Sequence, residues 1–257
     1  MRNKLRNTGP IVASLILLAT LPACSPSKNA LFGDVIDGAM GQRAETEERL
    51  STAAARAIAA GKAEEALVFY EKLFEHDRRN PEAALNYAQV LRKTGDAEKA
   101  VSVLGPFVKA KRKRNPTLQI TPVLLNEYAA GLIEVGRLEK AEAILDRVLS
   151  DERADSAHAD AYNLMGIVLD AEGEHKEAEE MFRESLEGWR GDTTSVMNNL
   201  AICLANQGLF KESLKTLQQA LIMAPEKKKD IARNIRFVSE MKSTVDPLRP
   251  TRKKLPA

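Results

Sequence analysis

Asparagine recurs at Asn126, Asn163 and Asn198, each ten residues before a glycine (Gly136, Gly173 and Gly208). Each primary amide offers two donors and an acceptor. A row of amides at regular spacing can therefore pair with the main chain of an extended peptide without reading its side chains. The same row can instead hydrogen-bond neighbouring helices. No other spacing in the sequence matches a catalytic device. His76, His158 and His175 are scattered along the chain, and HExxH, P-loop, GxSxG and CxxC patterns are absent. Acidic neighbours such as Glu64-Glu65 and Glu179-Glu180 read as solvated helix faces. The single tryptophan, Trp189, reads as a packing plug. Of the two cysteines, Cys203 shares an apolar helical period with Leu200 and Leu204 and reads as a small core residue. No catalytic residue, metal site or cofactor is expected, and the chain reads as a non-enzyme.

The elements that must position these residues are set by a wider pattern. Gly61, Gly95, Gly136, Gly173 and Gly208 are 34, 41, 37 and 35 residues apart. Five residues after each comes a small residue (Ala66, Ala100, Ala141, Ala178, Ser213). Nine after comes a large apolar one (Tyr70, Leu104, Leu145, Phe182, Leu217), and seven before the last four lie Ala88, Ala129, Gly166 and Ala201. A repeated helix–turn–helix unit explains all four columns. The glycine turns the chain, the small residues let backbones approach, and the large residue fills the groove between helices. The spacing predicts helices at about 45–60, 62–76, 81–94, 96–111, 121–135, 137–150, 157–172, 174–188, 193–207 and 209–223. A further helix at 227–242, with Ile231, Ile235 and Val238 on one face, is expected to cap the array with a polar outer side.

These columns resemble the tetratricopeptide repeat (TPR), whose second helix carries A-x3-F and then a proline. Residues 193–225 match in phase through Leu200, Ala201, Gly208, Ser213, Leu217, Ala220 and Pro225, whereas the other four units have Arg78, Arg112, Arg153 and Arg190 in place of the proline. The resemblance implies an all-α, right-handed solenoid of about five repeats plus a capping helix. It also implies that first helices line a concave groove, with the residues ten, six, three and two before the turn glycine facing it. Counted so, Asn126, Asn163 and Asn198 form the ladder. Ile133, Ile167 and Ile202 lie beside it with Glu134, Asp170 and Asn206, and these could supply side-chain pockets. No lysine and asparagine clamp for a C-terminal carboxylate is evident.

The beginning of the chain carries a different chemistry. Arg2, Lys4 and Arg6 precede the short apolar stretch Ile11 to Leu18, which is too short to span a bilayer and reads as a bacterial export signal over residues 1–23. It ends in Leu21-Pro22-Ala23-Cys24, which resembles the lipobox of bacterial lipoproteins, with Pro22 a departure from the usual small residue. The resemblance implies cleavage before Cys24 and acylation of its thiol, and Ser25 in place of an aspartate points to the periplasmic face of the outer membrane. Several acyl chains anchor stably where one is marginal. The alternative is an ordinary secretory signal with an incidental cysteine.

Residues 24–44, with three glycines, are expected to be a flexible tether reaching roughly 25 Å as a coil. Leu31, Phe32, Val35, Ile36 and Met40 leave open a short amphipathic helix docked on the first repeat or on a partner. The array with its cap occupies 45–242, and residues 243–257, with three prolines and no period, read as a disordered tail. The 38 basic and 36 acidic residues give +2, but loss of the leader's three cations leaves 35 against 36, or −1, so no global attraction to nucleic acid is expected. The run Lys109, Lys111, Arg112, Lys113, Arg114 reads as a solvated loop at a repeat insertion. No aromatic residues interleave it as a nucleic-acid site would want.

A lipoprotein signal, a tether, five repeats and a polar tail together resemble the TadD family of Flp-type tight-adherence pilus assembly proteins. The resemblance is carried by AYNLMGIVLDAEGEHKEAEEMFRESL (161–186), VMNNLAICLANQGLFKESLKTLQQAL (196–221) and DIARNIRFV (230–238). It implies a non-enzymatic accessory that binds protein partners of the pilus secretion machine, among them its secretin. PilF-like pilotins also join a lipid anchor to TPRs. A general envelope adaptor for peptidoglycan enzymes or outer-membrane assembly factors is the competing reading.

Overall fold

The structure, a computed structural model, describes residues 28–109 and 120–245. Among these residues the only regular elements are helices: α1 Lys28–Ala59, α2 Ala63–His76, α3 Pro81–Lys93, α4 Ala97–Lys109, α5 Pro122–Glu134, α6 Leu138–Leu149, α7 Asp155–Glu172, α8 His175–Gly188, α9 Thr194–Asn206, α10 Phe210–Met223 and α11 Lys228–Val245. The signal segment, Cys24, most of the basic run after Lys109 and the tail beyond Val245 lie outside the described residues.

Two units divide the chain, residues 1–47 and 48–257. The described part of the first is the leading portion of α1. Its helical backbone from Lys28 corrects the expectation that the tether stays coil through residue 44. Leu31 to Val35, Phe32 to Ile36 and Ile36 to Met40 follow the four-residue helical period, and no proline occurs between Pro26 and Pro81. Gly33, Gly38 and Gly41 each cost about 1 kcal/mol in a helix interior without stopping it.

In the second unit each helix from α2 on packs on its successor, and α3 also meets α5, α5 meets α7, α7 meets α9 and α9 meets α11. The turn glycines make this possible. All five have positive φ, from 70° to 90°. In each turn the amide after the glycine donates to the carbonyl four residues before it, as in Leu209 N to Leu204 O at 2.8 Å and Asp96 N to Leu91 O at 2.8 Å. This closing bond satisfies an orphan helix carbonyl and needs a left-handed residue at the glycine. Starts are equally local. The Asn80 Oδ1 accepts from the amides of Glu82 and Ala83, and Thr121 Oγ1 from Leu124, each followed by a proline at the first helical position.

Where the repeat's closing proline is missing, aspartates hold the turn. Asp77, Asp151 and Asp192 accept from the amides two residues on, at Arg79, Arg153 and Thr194. The small-residue column is buried without exception, from Ala66 to Ser213, whose hydroxyl donates to Ala201 O at 2.6 Å. Leu104, Leu145, Phe182 and Leu217 are also fully buried. Trp189 packs against the cluster of Phe182, Val196 and Leu200, as a plug should.

Helix α11 repeats the pattern of a first helix without a second to follow. Ile231, Ile235 and Val238 stand 35 residues after Val196, Leu200 and Cys203, and all pack toward the array or partly so. On the side where a second helix would lie it presents Arg236, Ser239 and Glu240, all exposed. The cap is an unfinished sixth repeat whose open face is wettable.

Candidate partner-binding groove

The predicted groove residues all lie on first helices, Asn126, Ile133 and Glu134 on α5, Asn163, Ile167 and Asp170 on α7, and Asn198, Ile202 and Asn206 on α9. On α7 the stripe Asp160, Asn163, Ile167 and Asp170 follows three- and four-residue steps, which keeps the side chains on one face. Ile133, Ile167 and Ile202 are half-buried, and Glu134 and Asn206 are exposed.

The asparagines are on this face, but their amides bridge repeats. Asn126 is 1% exposed and donates through Nδ2 to Ala157 O, 2.9 Å away on α7. Asn163 Oδ1 accepts from Asn199 Nδ2 on α9 at 3.0 Å, and Asn198 Oδ1 accepts from Asn234 on α11. The second pair repeats the first one unit later, which again gives α11 the place of a first helix. Asn206 donates to Asp170 Oδ2 at 3.1 Å, while Asp170 Oδ1 lies 2.7 Å from His175 Nδ1. Truncating Asn163 or Asn198 therefore removes bonds between repeats.

Sequence reasoning missed the charged centre of this face. Arg92, three residues before Gly95, donates from Nε to Glu127 Oε1 at 2.7 Å, from a terminal nitrogen to Glu127 Oε2 at 3.3 Å and from the other to Glu134 Oε1 at 2.5 Å. Burial works to lower the guanidinium's pKa, but the two carboxylates more than reverse it and hold the charge in place. Glu127 is 9% exposed, so this bridge from α3 to α5 is largely out of water. Beside it Asp160 of α7 faces the Asn126 amide. Burial raises its carboxyl pKa, and hydrogen bonding to Asn126 and the field of Arg92 only partly offset that. The available signal was weak. An arginine on a polar helix face looks solvated unless its partners 35 and 42 residues on are known to be neighbours.

Cys203 is fully buried, donates to His175 O at 3.0 Å, and its pKa is pushed up to about 12, first by burial and then by Asp170. A thiol so held is inert. Iodoacetamide should leave Cys203 unmodified in the native protein and alkylate it in denaturant, as read by peptide mass spectrometry; rapid native labelling would contradict the burial.

Away from the first-helix face, a cleft of about 550 Å³ lies between α4, α5 and α6, lined by Val101, Pro106, Tyr128, Leu132 and Lys109, with the Glu98 to Arg137 ion pair at its rim. Among the described residues no group of histidine, cysteine and carboxylate side chains could hold a metal, and no helix is long and apolar enough to cross a membrane.

Comparison with known proteins agrees with this architecture. A thermophilic TPR protein of Thermus thermophilus, TTC0263, is similar in structure at 20% identity and a TM-score of 0.60, over 76% of this chain and 99% of that one. The structure from the functional characterisation of Pseudomonas aeruginosa pilF aligns at 18% identity and a TM-score of 0.52, over 81% and 95%. A tetratricopeptide repeat protein of Parabacteroides merdae ATCC 43184 aligns at 16% identity and 0.52, over 78% and 76%. At these identities the likeness is one of fold. No curated protein sequence matches significantly. Tetratricopeptide repeat profiles match residues 57–119, 121–191 and 193–224, more than half of the chain. The chain belongs to the tetratricopeptide repeat family.

Proposed function

We propose that this protein is a non-enzymatic scaffold, lipid-anchored through Cys24 at the periplasmic face of the outer membrane, that binds protein partners of a Flp-type tight-adherence pilus machine along its first-helix groove. A TPR array by itself is a protein-interaction surface. The observation that carries the finer reading is the Leu21-Pro22-Ala23-Cys24 sequence standing directly before such an array. The stretches 161–186 and 196–221 and the basic helix after the last repeat supply the likeness to the TadD family. The fold likeness to the pilF structure is compatible with this reading without naming a partner.

Cys24→Ser removes the acylation nucleophile. It is expected to abolish incorporation of a palmitate analogue and to leave either uncleaved precursor or soluble protein. Label retained by the variant would end the lipid-anchor reading. Crosslinking of the wild-type protein in envelope membranes should capture pilus secretion components; consistent capture of peptidoglycan or outer-membrane assembly factors instead would favour the general adaptor.

A further inference from the structure

Three carboxylates from two helices converge where α3, α5 and α7 meet. Glu127 and Glu134 come from α5 and Asp160 from α7. The cation among them is Arg92, and all three of its nitrogens are committed to the two glutamates. Lys93 stands next to it, exposed at the end of α3. Asp160 is left with an amide, that of Asn126, and with the longer-range field of Arg92. A second observation points the same way. The Asn126 side chain is 99% buried, and its Oδ1 has no hydrogen-bond donor, although buried acceptors are normally paired. The junction therefore has more negative charge and more acceptors than its own donors match. What it lacks is a donor that carries positive charge.

We propose that this junction receives a lysine or arginine side chain from an extended partner segment, with Asp160 as the principal acceptor and Asn126 beneath it. The proposal rests on the reading of the first-helix face as the partner-binding surface. A main-chain amide could supply a donor but would leave the charge unmatched, and an acidic segment would meet repulsion. Further along the same face Asp170 of α7 is already bonded by Asn206 and His175, α9 offers Asn198 and Ile202, and α11 offers the exposed Arg233. A partner with one basic and one apolar or acidic end would thus be held in a single direction, its cation toward α5 and α7 and away from the cap.

The test uses the full chain and three labelled, end-blocked alanine-serine peptides that differ only in a central lysine, alanine or glutamate. The lysine peptide is expected to bind at least about ten-fold more tightly than the glutamate one, with the preference shrinking as salt rises. Asp160→Asn should remove about ten-fold of the lysine peptide's affinity while leaving the alanine peptide's unchanged. Glu139→Gln, an exposed carboxylate on α6, should change neither. Circular dichroism melting of each variant keeps a folding defect apart from a binding one. Equal binding of lysine and glutamate peptides, both blocked by Ile202→Trp, would overturn the cation preference and leave the groove reading standing. Binding of the lysine peptide that ignores both Asp160→Asn and Ile202→Trp would overturn the two together.

Discussion

Replacing Arg92 by alanine is expected to destabilise the array by about 3 kcal/mol, because it leaves the carboxylate of Glu127 unpaired in a site that is largely out of water. Exposed ion pairs in this protein, such as Lys62 with Glu65, are worth little by comparison. The difference is burial. With Glu127 9% exposed and Arg92 26%, the charges cannot fall back on solvent when one partner goes. For a domain of this size that loss corresponds to a fall of roughly 6–12 °C in Tm. Repeat arrays couple mainly to nearest neighbours, so the damage should be local. Hydrogen exchange should quicken in α3 and α5 and stay unchanged in α9 to α11. Arg92→Met with Glu127→Met should recover most of the loss, since a buried pair replaced by packed apolar groups is near neutral. An Arg92→Ala protein with wild-type melting and protected α5 amides would show that the bridge contributes nothing.

The contrast between this bridge and the turn glycines explains what the sequence made legible. A positive φ, a close helix crossing and a buried groove each restrict the residue type at one position, whatever its neighbours are. They therefore surface as columns. Helix bounds read from those columns agree with α2 to α10 to within two residues. A side-chain network has no such signature, because it depends on which helices end up adjacent and on rotamers. Arg92 reaches partners 35 and 42 residues ahead, and nothing at position 92 announces them.

The asparagine ladder lies between these cases. Its period was visible, and both its readings were open, as groove amides or as ties between helices. The structure shows the ties, through Ala157, Asn199 and Asn234. Asn199 and Asn234 were in plain sight, each beside or after a ladder member, but only the stacked helices make them partners. The beginning of α1 was equally open, since three glycines suit a linker and the four-residue apolar period of Leu31, Val35, Ile36 and Met40 suits a helix; the backbone is helical from Lys28.

One column hides a compensated pair, and it gives a sharp test of the packing. In three units the small residue seven before the glycine and the large one nine after it are Ala88 with Leu104, Ala129 with Leu145, and Ala201 with Leu217. In the fourth they are Gly166 with Phe182. The spacing is constant, so the ring takes the volume that the missing methyl leaves. A Cβ added at Gly166 would lie 2.7 to 2.9 Å from three carbons of the Phe182 ring. Those contacts are too short to hold, and Phe182 is 1% exposed, with no room to swing away. Gly166→Ala is therefore expected to cost about 1–3 kcal/mol from overpacking, against about 1 kcal/mol gained in helix propensity. Phe182→Leu alone should also destabilise, since it leaves a void beside the glycine. Together the two changes recreate the alanine and leucine pair of three other units, the first unit having Ala54 with the half-buried Tyr70, and the double variant should melt at or above the wild type. The coupling energy between the sites should reach about 2 kcal/mol in a double-mutant cycle. Additive single effects would mean that the helices shift apart to absorb the methyl and that the column does not set the crossing distance.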